Sequence, residues 1–126
     1  MPKILIVDDS ETVRDQLKET LEKSGYQVIE GADGIKGHIA LMQNTDTELI
    51  LCDVNMPNMN GISMCEKIFK DSSIAKKPPV VMLTTEADPE LKKKGKLCGV
   101  VAWITKPYIE EKLLLAVTKI LSMNKK

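Results

Sequence analysis

Short apolar runs and amphipathic stretches alternate along the whole chain. The runs Lys3–Val7, Tyr26–Glu30, Glu48–Cys52, Pro79–Leu83 and Val100–Thr105 have strand length. Within the third, Leu49-Ile50-Leu51-Cys52 is apolar without alternation, the pattern of a strand covered on both faces of its sheet. Between the runs lie helical patterns. Val13, Leu17 and Leu21 recur every four residues, with Ser10 as N-cap and Gly25 as stop. Ile35 and Ile39 mark a second helix, and Ile62, Cys65, Ile68 and Phe69 a third. Leu91 and Leu97 mark a weaker fourth, opened by Pro89, and Ile109, Leu113, Val117, Ile120 and Leu121 a fifth.

Strands alternating with helices imply an α/β fold, a parallel sheet with helices on both faces, because each right-handed crossover lays a helix over the sheet. In such open sheets the chemistry gathers beyond the carboxyl ends of the strands, at a topological switch point. The residues that end strands therefore carry the functional information. The first strand ends on Asp8-Asp9, the second near Glu30, the third on Asp53, the fourth on Thr84 and the fifth on Lys106.

If the first and third strands are neighbours, Asp8, Asp9 and Asp53 converge. Two carboxylates ~5 Å apart repel by about 3 kcal/mol at an effective dielectric near 20. A positive charge must share the cleft, and Lys106 or a divalent cation can supply it. A pocket of carboxylates without His or Cys suits Mg²⁺, which keeps several waters and accepts phosphate oxygens. With Thr84 as hydroxyl donor, the set can handle a phosphoryl group, and an Asp carboxylate is a competent nucleophile for one. Taken singly, each residue has a plainer reading: an Asp doublet or Thr84 as a helix cap, Lys106 as a solvated amine. The placement at successive strand ends favours the combined reading.

Composition narrows the field. The 126 residues suffice for one domain, residues 1–126, and 18 basic side chains balance 18 acidic ones, so net charge gives no reason to expect nucleic acid. No apolar run reaches membrane-spanning length and the start, MPKILIVDD, has no signal-peptide core, so the expected compartment is the cytoplasm. The three cysteines, Cys52, Cys65 and Cys98, form no CxxC pair and read as small apolar side chains rather than a metal or redox site.

The motifs ILIVDDS, LCDVNMPNMNG, VVMLTTEA and WITKPY, in this order across the chain, strongly resemble the receiver domain of bacterial two-component response regulators, of the single-domain type. The resemblance implies a flavodoxin-like (CheY-like) doubly wound five-stranded parallel sheet of order 2-1-3-4-5 with five helices. It implies Asp53 as phosphoacceptor and Mg²⁺ as cofactor, held by Asp8, Asp9, Asp53 and the backbone carbonyl of Asn55. Thr84 and Lys106 would bind the phosphoryl group. Trp103 would be the switch aromatic on strand five, where Tyr or Phe is more usual; permanent packing against helix four or five is the alternative. Lys106-Pro107 resembles the family's cis peptide.

Other residues follow. Pro57 stiffens the loop after Asp53 and Gly61 relaxes the backbone before helix three. Met56 and Met59 read as loop packing. The resemblance also implies that Asn55 and Glu86, two residues beyond the phosphoacceptor and Thr84, border the path of attacking water, and polar residues there resemble fast-turnover regulators. With the single-domain layout they point towards chemotaxis or motility. The basic run ELKKKGK is a solvated face, or part of a helix 4–strand 5–helix 5 surface that would meet an acidic target protein. His38 has no role and is expected to be exposed.

The implied function is a switch that takes a phosphoryl group from a histidine kinase or phosphotransfer protein and signals by protein contact. It is not an enzyme turning over an external substrate, and no effector domain is expected. A relay intermediate or a receiver cut from a longer regulator fits the same residues. A Mg²⁺-dependent aspartyl-phosphate phosphohydrolase would need an acid two residues after the nucleophile, where Asn55 stands. A nucleotide- or flavin-binding domain would need a glycine-rich turn after strand one, which DDSETV does not provide. A degenerate receiver used only for docking conflicts with the complete set of site side chains.

Overall fold

The protein is described by a computed structural model covering residues 1–54, 56, 59–85 and 89–123. Strands β1 (Lys3–Val7), β2 (Gln27–Gly31), β3 (Thr47–Asp53), β4 (Val80–Thr84) and β5 (Val100–Thr105) alternate with helices α1 (Glu11–Lys23), α2 (Gly34–Gln43), α3 (Gly61–Lys70), α4 (Pro89–Leu97) and α5 (Glu110–Met123). All strand pairs are parallel, in the order β2-β1-β3-β4-β5. The chain moves outward from β1 to β2 and then returns to pair β3 with β1, so the switch point lies between β1 and β3.

Period-two alternation sends the strand residues to two separate cores. Leu5, Val7, Ile50, Cys52, Val80 and Met82 face α2 and α3, while Ile4, Ile6, Leu49, Leu51, Val81 and Leu83 face α1 and α5. Ser10 caps α1, its side chain accepting from the Val13 N–H at 3.3 Å, and Gly25 beyond the helix has a φ of 90°. Asp33 and Asn60 cap α2 and α3 in the same way.

Several apolar positions lie elsewhere than their spacing suggests. Ile35 and Ile39 of α2 are exposed, as are Phe69, Leu97 and Ile109. For α2 the cause is close approach. A Cβ on Gly37 would come within 2.7 Å of Val7, and one on Gly31 within 2.7 Å of Gly37. The helix meets the sheet through glycine and Leu41, which leaves the isoleucines on its outer side. His38 is likewise not exposed. It is half-buried, with Nε2 2.9 Å from Asp71 Oδ2 at the end of α3, because an imidazole beside a carboxylate gains a partner there. Gly61 needs no unusual backbone. A Cβ there would strike the Asp53 carbonyl oxygen and lie 3.0 Å from Cys52 Sγ, so its smallness lets α3 start against the end of β3.

Candidate functional site

The parallel sheet brings its carboxyl-terminal strand ends to one edge. Register sets Val7 beside Cys52 and Asp53 beside Leu83, so Asp8 and Asp53 are neighbours and Thr84 stands one residue further along β4. Asp8 and Asp53 are buried, 1% and 8% exposed, and Asp9 faces solvent. One oxygen from each of the three carboxylates lies within 4.8 Å of the others. The predicted convergence therefore occurs.

Lys106, just beyond β5, reaches into the same cleft. Its ammonium donates to Asp8 Oδ2 at 3.1 Å and lies 3.5 Å from Asp53 Oδ2. Its backbone N–H donates to the Thr84 carbonyl at 2.8 Å, and the peptide to Pro107 is cis, as the resemblance implies. Partial burial works against the charge of Lys106. The hydrogen bond to Asp8 and the charges of Asp8 and Asp53 outweigh it, so its pKa lies above the usual lysine value. Three carboxylates and one ammonium leave a formal charge of −2 in the cleft. Hard oxygen donors bearing that charge fit a divalent cation such as Mg²⁺.

Asp8 is fixed from several sides. Its Oδ1 accepts from the Ser10 N–H at 2.9 Å, and its own carbonyl accepts from Arg14 at 2.7 Å. Arg14 also pairs with Glu30 at 3.2 Å, tying α1 to the end of β2. Sequence reasoning passed over Arg14, although its place four residues after the Ser10 cap turns it towards these strand ends. Beside Lys106 a groove of about 760 Å³ opens between α1 and the start of α5, walled by Val13, Gln16, Thr20, Pro107 and Tyr108. Burial, and then the nearby Glu110 charge, raise the Tyr108 phenol above its usual value.

Trp103 on β5 is half-buried and packs on α4. A Cβ on Gly95 would lie 2.8 Å from its ring, so the indole occupies the space a side chain would need. Met56 and Met59 pack against the α2–α3 core, as expected of loop residues. Asn55, Pro57 and Glu86 lie outside the described residues. Among the described residues, no helix is long and apolar enough to cross a membrane.

The chain is thus a doubly wound parallel α/β domain whose strand ends gather three carboxylates and a lysine into one cleft. A family model described as "response regulator receiver domain" matches residues 4–118, and the chain belongs to that family. It is 36% identical to the chemotaxis protein CheY1 of Helicobacter pylori over 97% of this chain and 98% of that protein. It is also 36% identical to the DNA-binding dual master transcriptional regulator RpaA of a Synechocystis species, covering 96% of this chain but 49% of that one. Among solved structures, the chemotaxis protein CheY4 of Vibrio cholerae superposes with a TM-score of 0.87 at 36% identity, covering 95% of this chain and 98% of that one. The protein is a receiver domain of the CheY type.

Proposed function

We propose that Asp53 is the phosphoacceptor of a Mg²⁺-dependent switch. The observation that carries this reading is the cleft itself: three carboxylates within 4.8 Å, with the Lys106 ammonium between Asp8 and Asp53. Asp8, Asp9 and Asp53 would hold the cation. Bound there, it would neutralise charge on the phosphoryl oxygens and let an anionic donor approach.

The chain's own groups do the rest. A carboxylate oxygen of Asp53 attacks phosphorus, the P–N bond of a phosphohistidine donor breaks, and an acyl phosphate forms. Lys106, already protonated against Asp8 and Asp53, pairs with the incoming phosphoryl oxygens. Thr84 offers its hydroxyl from the end of β4, and burial of Asp53 in the strand end holds the nucleophile in one place. Relatives named for chemotaxis support a role in motility signalling, with a histidine kinase or phosphotransfer protein upstream and a target protein met through α4, β5 and α5. Asn55 and Glu86 are assigned to tuning dephosphorylation.

Incubation with Mg²⁺ and acetyl phosphate should add one phosphoryl group to the intact chain. The adduct should be absent in Asp53→Asn and after chelation of the metal. A phosphoryl group gained by Asp53→Asn would overturn the assignment.

A further inference from the structure

Every polar atom of Asp8 is engaged. Its N–H donates to the Gly31 carbonyl at 3.2 Å, its Oδ1 accepts from the Ser10 N–H at 2.9 Å, and its Oδ2 accepts from the Lys106 ammonium at 3.1 Å. The main-chain carbonyl oxygen accepts from the Arg14 guanidinium at 2.7 Å, the shortest of the four. That bond is charge-assisted, and bonds of that kind are about twice as strong as neutral ones. A helical side chain leans towards the N-terminus of its helix, so Arg14, near the start of α1, falls back over the strand ends. Its side chain is only 15% exposed.

We propose that Arg14 is a positioning residue for the divalent cation. Its guanidinium fixes the peptide between Asp8 and Asp9, and Glu30 cancels its charge so that the cation is not repelled. The inference rests on the reading of Asp8, Asp9 and Asp53 as the groups that hold Mg²⁺. A peptide unit is planar. Pinning the Asp8 carbonyl therefore also sets the direction of the Asp9 N–H and the place of the Asp9 Cα. This matters most for Asp9, which faces solvent while Asp8 and Asp53 are buried in the strand ends. Its carboxylate reaches the cleft from the Cα position that the pinned peptide gives it.

Charge is the other half of the arrangement. A guanidinium with no counter-ion would compete with a divalent cation for the same carboxylates. Pairing of β1 with β2 sets Ile6 beside Glu30, which brings the Glu30 carboxylate to the same end of the sheet as Asp8. Arg14 Nε donates to Glu30 Oε1 at 3.2 Å. The Lys18 ammonium, 4.0 Å from Glu30 Oε2, is more exposed, and water and salt screen its charge. The Arg14–Glu30 pair is formally neutral, so it stiffens the ligand backbone and leaves the net negative charge of the cleft in place. An ammonium is a poorer choice here, because it lacks the planar fork with which one guanidinium meets a carbonyl and a carboxylate together.

The test compares the full chain with Arg14→Met, which keeps an apolar stem, and with Arg14→Lys and Glu30→Gln. Calorimetric titration with Mg²⁺ should give a Kd roughly tenfold higher for Arg14→Met, the low end of the range for partners that orient metal ligands. Arg14→Lys should recover part of the loss. The Mg²⁺ concentration giving half the maximal rate of adduct formation from acetyl phosphate should rise by the same factor, with the maximal rate lowered far less. Glu30→Gln keeps an acceptor but uncovers the charge of Arg14. Its weaker Mg²⁺ binding should return towards the natural value at high salt, whereas the Arg14→Met loss should persist. In metal-free protein the Ser10 amide should exchange roughly fivefold faster in Arg14→Met, beyond any change at Leu5 of β1, whose exchange reports global opening.

An unchanged Mg²⁺ Kd in an Arg14→Met chain of lowered stability would make the arginine a structural residue only and overturn the proposal. Ser10 exchange that rises no more than that of Leu5 would do the same, and a salt-independent loss in Glu30→Gln would remove the role given to its charge. Failure of the underlying reading has its own signature. Mg²⁺ binding absent from the natural chain, or undiminished in Asp9→Asn, would sink the metal site and this proposal with it.

Discussion

Gly61 shows how strictly the surroundings of Asp53, the proposed phosphoacceptor, are set. The N–H of Gly61 donates to the Val54 carbonyl at 2.9 Å, and its Cα faces the backbone of Asp53 with no space for a methyl group. The obstructing atoms are backbone, so they cannot rotate away. Gly61→Ala should cost about 1–3 kcal/mol of stability, the range for an overpacked site. It should also slow phosphoryl uptake by roughly tenfold to a hundredfold by displacing Asp53. Denaturant melts and the rate of adduct formation from acetyl phosphate check both. An unchanged rate would mean that the strand end tolerates movement. Sequence marked Gly61 for its backbone freedom, whereas its actual burden is space, which no single-chain pattern reports. Arg14 escaped notice for a related reason. Its partners, the Asp8 carbonyl and Glu30, are brought to it by the pairing of β1 with β2.

Between elements, α2 and α3 are joined by a polar link that hydrophobic spacing does not reveal. His38 of α2 meets Asp71, the C-cap of α3, and Asp71 also accepts from both the Ser73 N–H and its hydroxyl. The Ser73 bond, then the His38 bond, hold the Asp71 carboxyl down at about 2 against the usual 3.8. A carboxyl lowered on folding contributes stability that is complete above 3.8 and is lost as pH falls through about 2. Carbon-detected NMR titration should therefore find Asp71 at about 2, moving towards 3.8 in Ser73→Ala and by a smaller step in His38→Gln. The pH dependence of the urea midpoint between those limits should flatten in parallel. An Asp71 midpoint untouched by Ser73→Ala would refute the assignment. The strands were readable in the chain because each is a short apolar run; their bounds agree with the structure to within a residue or two. The outer faces of α2 and α4 were not. Close glycine contacts reverse which side of α2 is buried, and α4 is anchored mainly by Gly95 and by Cys98 beyond its end.

Across the whole molecule, the hydrophobic sheet stabilises a cluster of like charges that the sheet edge itself would disfavour. The site was visible in the sequence because a parallel sheet aligns its strand ends, so Asp8, Asp53, Thr84 and Lys106 could be grouped once the alternation of strands and helices was recognised. What the chain could not show is the share of that charge which Lys106 already neutralises, since this depends on distances of 3.1 and 3.5 Å across the cleft. The residual formal charge implies a trade between stability and function. Asp9 is the exposed member of the cluster, so replacing it with Asn removes repulsion without leaving a buried carboxylate unpaired. In metal-free buffer Asp9→Asn should be more stable than the natural chain by about 1 kcal/mol, or about 4 °C in Tm. Added Mg²⁺ should reverse the ranking. At ten times its Kd the cation would contribute about 1.4 kcal/mol to the natural chain and much less to the variant, which has lost a ligand. Calorimetric scans with and without Mg²⁺ make the comparison. Equal gains by both proteins would place the cation somewhere other than among these carboxylates, while loss of stability in metal-free Asp9→Asn would mean that Asp9 is held by contacts stronger than the repulsion it suffers.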